Sequence, residues 1–165
     1  MSNGPQVAPE APREQQTLSL PEERFESLRS WAIEGTGLTA SARVTGGDGR
    51  IALVRNGWTD GWFVPGGAVE PDEEPREAAR REVYEETGLD ATVEEPLVVL
   101  DQTYVSEETG QEWFSAAFVV YAATAEGEIP PVSTLGRTDD EIEASRWFET
   151  IPDRLHDGDL LRPYL

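Results

Sequence analysis

Eight carboxylates and three arginines lie between Gly66 and Leu89, in the stretch GGAVEPDEEPREAARREVYEETGL. Placed on a helix, Glu82, Glu85 and Glu86 fall on one face, at i, i+3 and i+4. Three like charges so close together repel, by a few tenths of a kcal/mol per pair in water and more when partly buried. A divalent cation on that face reverses the sign of the interaction, and carboxylates, carbonyls and water are the ligands that a hard cation prefers. Arg81 stands one residue before Glu82 and four before Glu85, so it can steer one of them. Glu77 stands four residues before Arg81, the favourable orientation for a pair. On composition alone, the competing reading is a solvated acidic face on an acidic protein. The setting favours a cation: Pro65-Gly66-Gly67 precedes the acids and lets backbone approach a ligand closely, and Gly88 ends the helix just past them.

The rest of the composition narrows the chemistry. There is no cysteine and only one histidine, His156, in 165 residues. Thiol catalysis, thiolate metal sites and histidine-cluster sites are excluded, which leaves a metal on oxygen ligands. The net charge of −20 disfavours binding to duplex nucleic acid or to an anionic membrane surface. All 13 basic residues are arginine. A salt-rich cytosol, where excess carboxylate maintains solubility, accounts for this balance; a coding bias towards arginine is the alternative. No apolar run reaches the length of a membrane span, and MSNGPQVAPEAPREQQ lacks the charged and apolar regions of a signal peptide. The cytoplasm is the expected location.

The acidic stretch needs elements to hold it. Residues 1–20 read as a flexible leader. Residues 21–35 read as a short helix, with Phe25, Leu28, Trp31 and Ala32 at helical spacing. From residue 36 to 165 the pattern is one α+β or α/β domain. LTASARV and RIALVRN flank the turn signal GGDG, and GWFVPGG ends a third apolar segment. A helix is expected from Pro75 to Thr87, with Pro75 in its first turn and Gly88 as its C-terminal cap. ATVEEPLVVLDQTYV and EWFSAAFVVYAAT read as strands. A loop runs from Glu126 to Asp140, EIEASRWFE reads as a last strand, and IPDRLHDGDLLRPYL as a terminal helix. At the end of the second strand, Arg55 is placed to reach a phosphate in bidentate fashion, or is a surface arginine. Trp58, Trp62, Tyr104 and Phe114 can stack on a base or fill the core.

These residues resemble the Nudix hydrolases. The family's box reads Gly, five residues of any type, Glu, seven of any type, then Arg-Glu-aliphatic-any-Glu-Glu-any-Gly-aliphatic. Gly67, Glu73, Arg81, Glu82, Val83, Glu85, Glu86, Gly88 and Leu89 fill every required position. The resemblance implies an α/β/α sandwich around a mixed central sheet, with the box as a loop–helix–loop that binds Mg²⁺ or Mn²⁺. By position, Glu82, Glu85 and Glu86 resemble the metal-binding glutamates, with the backbone carbonyl near Gly66 as a further ligand. Arg81 and Glu73 resemble the pair that orients them, and Val83 and Leu89 face the core. The general base is not fixed in the family: it is Glu82 or an acid on a late loop, where Glu141 is the first choice and Glu126 and Glu128 are the others.

Implied, too, is hydrolysis of a nucleoside diphosphate linked to another group, with a nucleotide as the small-molecule substrate. The downstream proline that marks many ADP-ribose enzymes is absent, since Tyr104 occupies that position. Tyr104 falls slightly short of the spacing of a tyrosine found in many dinucleoside-polyphosphate enzymes. Nucleoside triphosphates, ADP-ribose, other nucleoside-diphosphate sugars and dinucleoside polyphosphates all stay open. Many relatives are dimers, so a homodimer is the assembly suggested. Two readings from other classes compete: a non-catalytic Nudix-fold nucleotide sensor, and an acidic cation-binding protein without a reaction. The intact box speaks against both.

Overall fold

The computed structural model describes residues 7–56, 61–135 and 142–165. In chain order it holds β1 (Arg13–Leu20), α1 (Phe25–Arg29), β2 (Leu38–Thr45), β3 (Ile51–Arg55), β4 (Gly66–Ala68), α2 (Pro75–Thr87), β5 (Thr92–Ser106), β6 (Glu112–Thr124), β7 (Ala144–Phe148) and α3 (Gly158–Leu161). The strands form one mixed sheet in the order β1-β5-β6-β2-β3-β7, with β4 joined to β2. β1 runs parallel to β5 and β2 parallel to β6, and the other pairs are antiparallel. Among the described residues no helix is long and apolar enough to cross a membrane.

Alternation along the central strands divides the core into two faces. Ala40, Ala42, Val44, Val99, Val119 and Ala123 point to one side, where α2 lays down Ala78, Ala79 and Val83, joined by Leu89. Leu53, Val98, Leu100 and Val120 point to the other, under Leu155, Leu161 and the rest of the C-terminal segment. On that second face Tyr104 and Phe114 meet Leu28 and Trp31 of the N-terminal helical segment. The result is an α/β/α sandwich. α2 begins at Pro75 and is closed by Gly88, which adopts φ 75° and donates its N–H to Tyr84 O at 2.9 Å. Glu77 Oε1 accepts from the Glu74 N–H at 3.1 Å, which satisfies one donor at the helix start.

Two expectations are corrected here. Residues 13–20 are not a flexible leader: Arg13–Leu20 pair with Val99–Ser106, and Val7 and Ala11 are buried against the α2 side of the core. Gln16 Nε2 donates to Asp157 Oδ1 at 2.8 Å, and Tyr164 Oη donates to Glu14 Oε1 at 2.8 Å, so β1 also ties down the C-terminal segment. The terminal helix is shorter than its composition suggests. Asp157 takes a left-handed conformation, φ 56°, and only Gly158–Leu161 are α-helical before a 3₁₀ turn at Arg162–Tyr164.

A split in the sheet positions the site. β2 and β3 pair only at Val44–Ala52 and Thr45–Ile51 and then diverge. The segment from Trp62 to Ala68 fills the gap. Phe63 bridges to Val54 of β3, Pro65 O accepts from the Ala42 N–H at 3.1 Å, and Gly66–Ala68 pair with Thr39–Ser41 of β2. Gly66 and Gly67 are thereby pinned between the central strand and α2.

Candidate active site

At the base of the split there is no room for side chains. A Cβ on Gly66 would collide with Ser41 Cβ and come within 2.6 Å of Ala40 O. One on Gly67 would sit 2.5 Å from the carboxyl carbon of Glu82. The two glycines therefore differ in what they protect. Gly66 makes room for a backbone, which cannot move cheaply; Gly67 makes room for the end of a flexible side chain. Gly66→Ala is expected to cost about 3 kcal/mol of stability and lower Tm by roughly 6–12 °C. Gly67→Ala is expected to cost less than about 1 kcal/mol but to displace the Glu82 carboxylate, with a loss of about 10²-fold in turnover. Thermal melts beside initial rates test this, and equal stability loss in the two variants would refute the distinction.

Arg81 is the hub of the helix face. Its Nε and Nη2 donate to the two oxygens of Glu73 at 2.7 and 2.9 Å, a bidentate pair. Its Nη1 reaches Glu82 Oε1 at 2.8 Å and Glu85 Oε2 at 3.4 Å, and its Nη2 also donates to Ala68 O at 3.2 Å. The side chains of Arg81 and Glu73 are only 23% and 14% exposed, so solvent screens this cluster incompletely. Hydrogen bonding to Glu73 raises the Arg81 pKa above the usual guanidinium range, against burial, which lowers it; the charge of Glu82 adds to the rise. Glu86 turns the other way and accepts the Gly66 N–H at 2.8 Å.

The structure thus brings together Gly66, Glu73, Arg81, Glu82, Glu85 and Glu86. The charge repulsion on the helix is met in part by Arg81 from within. Among the described residues no three acids stand as a ready-made coordination shell. The donor set nevertheless fits a hard divalent cation: carboxylate oxygens only, beside a backbone cradle that a Cβ would fill.

The substrate-binding candidates part company. Tyr104 is only 8% exposed; it packs edge-on to Trp31 and tilted against Phe114, on the sheet face opposite α2. That correction has a simple cause: the ring is needed to seat the N-terminal helical segment, and burial raises its hydroxyl pKa. Arg55 and Trp62 do meet, with the guanidinium carbon 5.0 Å from the ring centroid. Arg55 also pairs with Glu143 at 3.6 Å. Glu141 and Trp58 lie outside the described residues, while Glu126 and Glu128 are exposed. The Ala68 carbonyl that steadies Arg81 escaped the sequence reading, because backbone acceptors leave no mark in side-chain spacing.

The NUDIX domain family matches residues 35–151, and the chain belongs to it. A stretch of 32 residues is 66% identical to diphosphoinositol polyphosphate phosphohydrolase 2 of Rattus norvegicus, covering 19% of this chain and 18% of that protein. The match therefore spans less than a fifth of that relative's length. Among solved structures, a MutT NUDIX hydrolase from Burkholderia pseudomallei is 26% identical with a TM-score of 0.53, over 78% of this chain and 96% of that one. A UDP-X diphosphatase is 25% identical with a TM-score of 0.50, over 70% and 52% of the two chains.

Proposed function

We propose that this Nudix protein hydrolyses a phosphoric anhydride bond in a nucleoside diphosphate linked to another group, with Mg²⁺ or Mn²⁺ as cofactor. The observation that carries the proposal is the Arg81 hub, which holds Glu82 and Glu85 beside the glycine cradle while Glu86 bonds to Gly66. Glu82, Glu85, Glu86 and the Gly66 carbonyl would hold the cation. When bound, the cation neutralises phosphate charge and lowers the pKa of a water.

The chain's own residues do the rest. Arg81, paired with Glu73, fixes the carboxylates in register before substrate arrives, so that little reorganisation is left for the transition state. Gly67 keeps space for the Glu82 carboxylate. A carboxylate, Glu82 or Glu141, takes the proton from the attacking water as general base. The relatives' names support a diphosphate-type substrate: one carries diphosphoinositol polyphosphates in its name and another UDP-X.

The experiment is a panel of nucleoside triphosphates, nucleoside-diphosphate sugars and dinucleoside polyphosphates, assayed for monophosphate and phosphate release at low and at molar KCl. Turnover should appear with Mg²⁺ or Mn²⁺ and vanish in excess chelator. Equal turnover with and without chelator would remove the metal from the proposal. No turnover of any member, by folded protein in saturating metal, would reject the reaction.

A further inference from the structure

We infer that Arg146 joins Arg55 and Trp62 in a receptor for a second anionic group of the substrate, a phosphate on the part remote from the bond that is cleaved. The inference rests on the pyrophosphohydrolase reading above. Pairing of β3 with β7 sets Leu53 opposite Arg146 and Arg55 opposite Ala144, so the two arginines are diagonal neighbours on one face. Both converge on a single indole. The guanidinium carbons of Arg55 and Arg146 lie 5.0 and 5.6 Å from the Trp62 ring centroid. Phe148 supports the same ring edge-on, with centroids 4.7 Å apart.

The chain carries 33 acids against 13 arginines, yet here two guanidinium groups share one ring. Glu143 stands 3.6 Å from Arg55, in an exposed pair that contributes little. Among the described residues Arg146 makes no ion pair with a carboxylate. Each cation is attracted by the indole face, and a bound oxyanion offsets the cost of holding two like charges at one ring. Planar guanidinium forks match phosphate oxygens in bidentate fashion.

The patch lies on the Leu53 face of the sheet, opposite α2, and the chain from Trp62 to Gly66 links it through the split to the glycine cradle. Trp62 precedes Gly66 by four residues, so their Cα atoms are at most about 14 Å apart. A substrate with phosphates beyond the cleaved bond can span that distance; an uncharged sugar there gains nothing from the arginines.

The test compares two substrates that share a nucleoside pyrophosphate: a nucleoside-diphosphate sugar, with an uncharged remote group, and a dinucleoside tetraphosphate. Arg146→Gln should shift the ratio of their kcat/KM values about tenfold against the tetraphosphate, with the loss carried in KM, as expected for a charged hydrogen bond. An unchanged ratio overturns the inference. Calorimetric titration with inorganic tripolyphosphate in chelator separates this site from the metal site. Binding should be about fivefold or more weaker in Arg146→Gln, and also in Arg55→Gln. If the wild-type protein turns over no nucleotide but tripolyphosphate still discriminates the variants, the reaction is wrong and the anion site stands. Tripolyphosphate that binds wild type and variants alike, or does not bind at all, means that the arginines serve only to pack the indole.

Discussion

Glu86→Gln should lose roughly 10³-fold in kcat, since a metal ion supplies several kcal/mol of transition-state stabilisation and each 1.36 kcal/mol is worth about a factor of ten. The substitution is chosen because the structure makes it mild for the fold. Glu86 accepts the Gly66 N–H through Oε1, and the glutamine amide oxygen can accept the same bond. The change removes one of three neighbouring negative charges, and so relieves a few tenths of a kcal/mol of repulsion in the metal-free protein. Stability without metal should therefore change far less than activity, which collapses. A second readout does not depend on turnover. A cation that binds the folded state at a hundred times its Kd adds about 2.7 kcal/mol, or roughly 5–11 °C in Tm for a chain of this size. Wild type should show that rise in Mg²⁺ or Mn²⁺ and Glu86→Gln should show much less. Full activity in the variant, with an undiminished metal shift, would place the cation elsewhere.

How much of this was legible beforehand depends on how local the cause is. The helix from Pro75 to Thr87 and its cap at Gly88 were readable because proline, glycine and the spacing of the acids act within a few residues. β1 was not. PREQQTLSL is polar, its alternation is weak, and its hydrogen-bond partners begin more than eighty residues later, at Val99. Tyr104 shows the same limit at a single residue. Its spacing from the box suggests a ligand contact, but its environment is set by Trp31 and Phe114, which only the folded chain brings near. Arg146 is the opposite case. Nothing in RWF sets it apart until β7 pairs with β3 and aligns it with Arg55. The sheet split is likewise a property of pairing: GWFVPGG is visibly apolar, but its insertion between β2 and β3 follows from bonds to both strands.

Arg81→Lys should be the more instructive of the large losses, because it keeps the charge and removes the geometry. Arg81 makes four carboxylate contacts and one carbonyl contact from a single planar group, bidentate to Glu73 and directed by Nη1 towards Glu82 and Glu85. An ammonium with three donors cannot reproduce that fork. Residues that orient metal ligands typically contribute 10–100-fold, and a fall of about that size in both kcat and metal affinity is expected here. Breaking the part-buried cluster should also cost about 2 kcal/mol of stability. A guanidinium stays charged on acidification, so any loss of activity at low pH does not come from the hub. Glu73→Gln completes the test. If Arg81 acts by holding the loop acid and the helix acids in one register, the double variant should be little worse than Arg81→Lys alone, since both break the same network. Additive losses would mean that Glu73 and Arg81 act separately, and an active Arg81→Lys would reduce the hub to a charge.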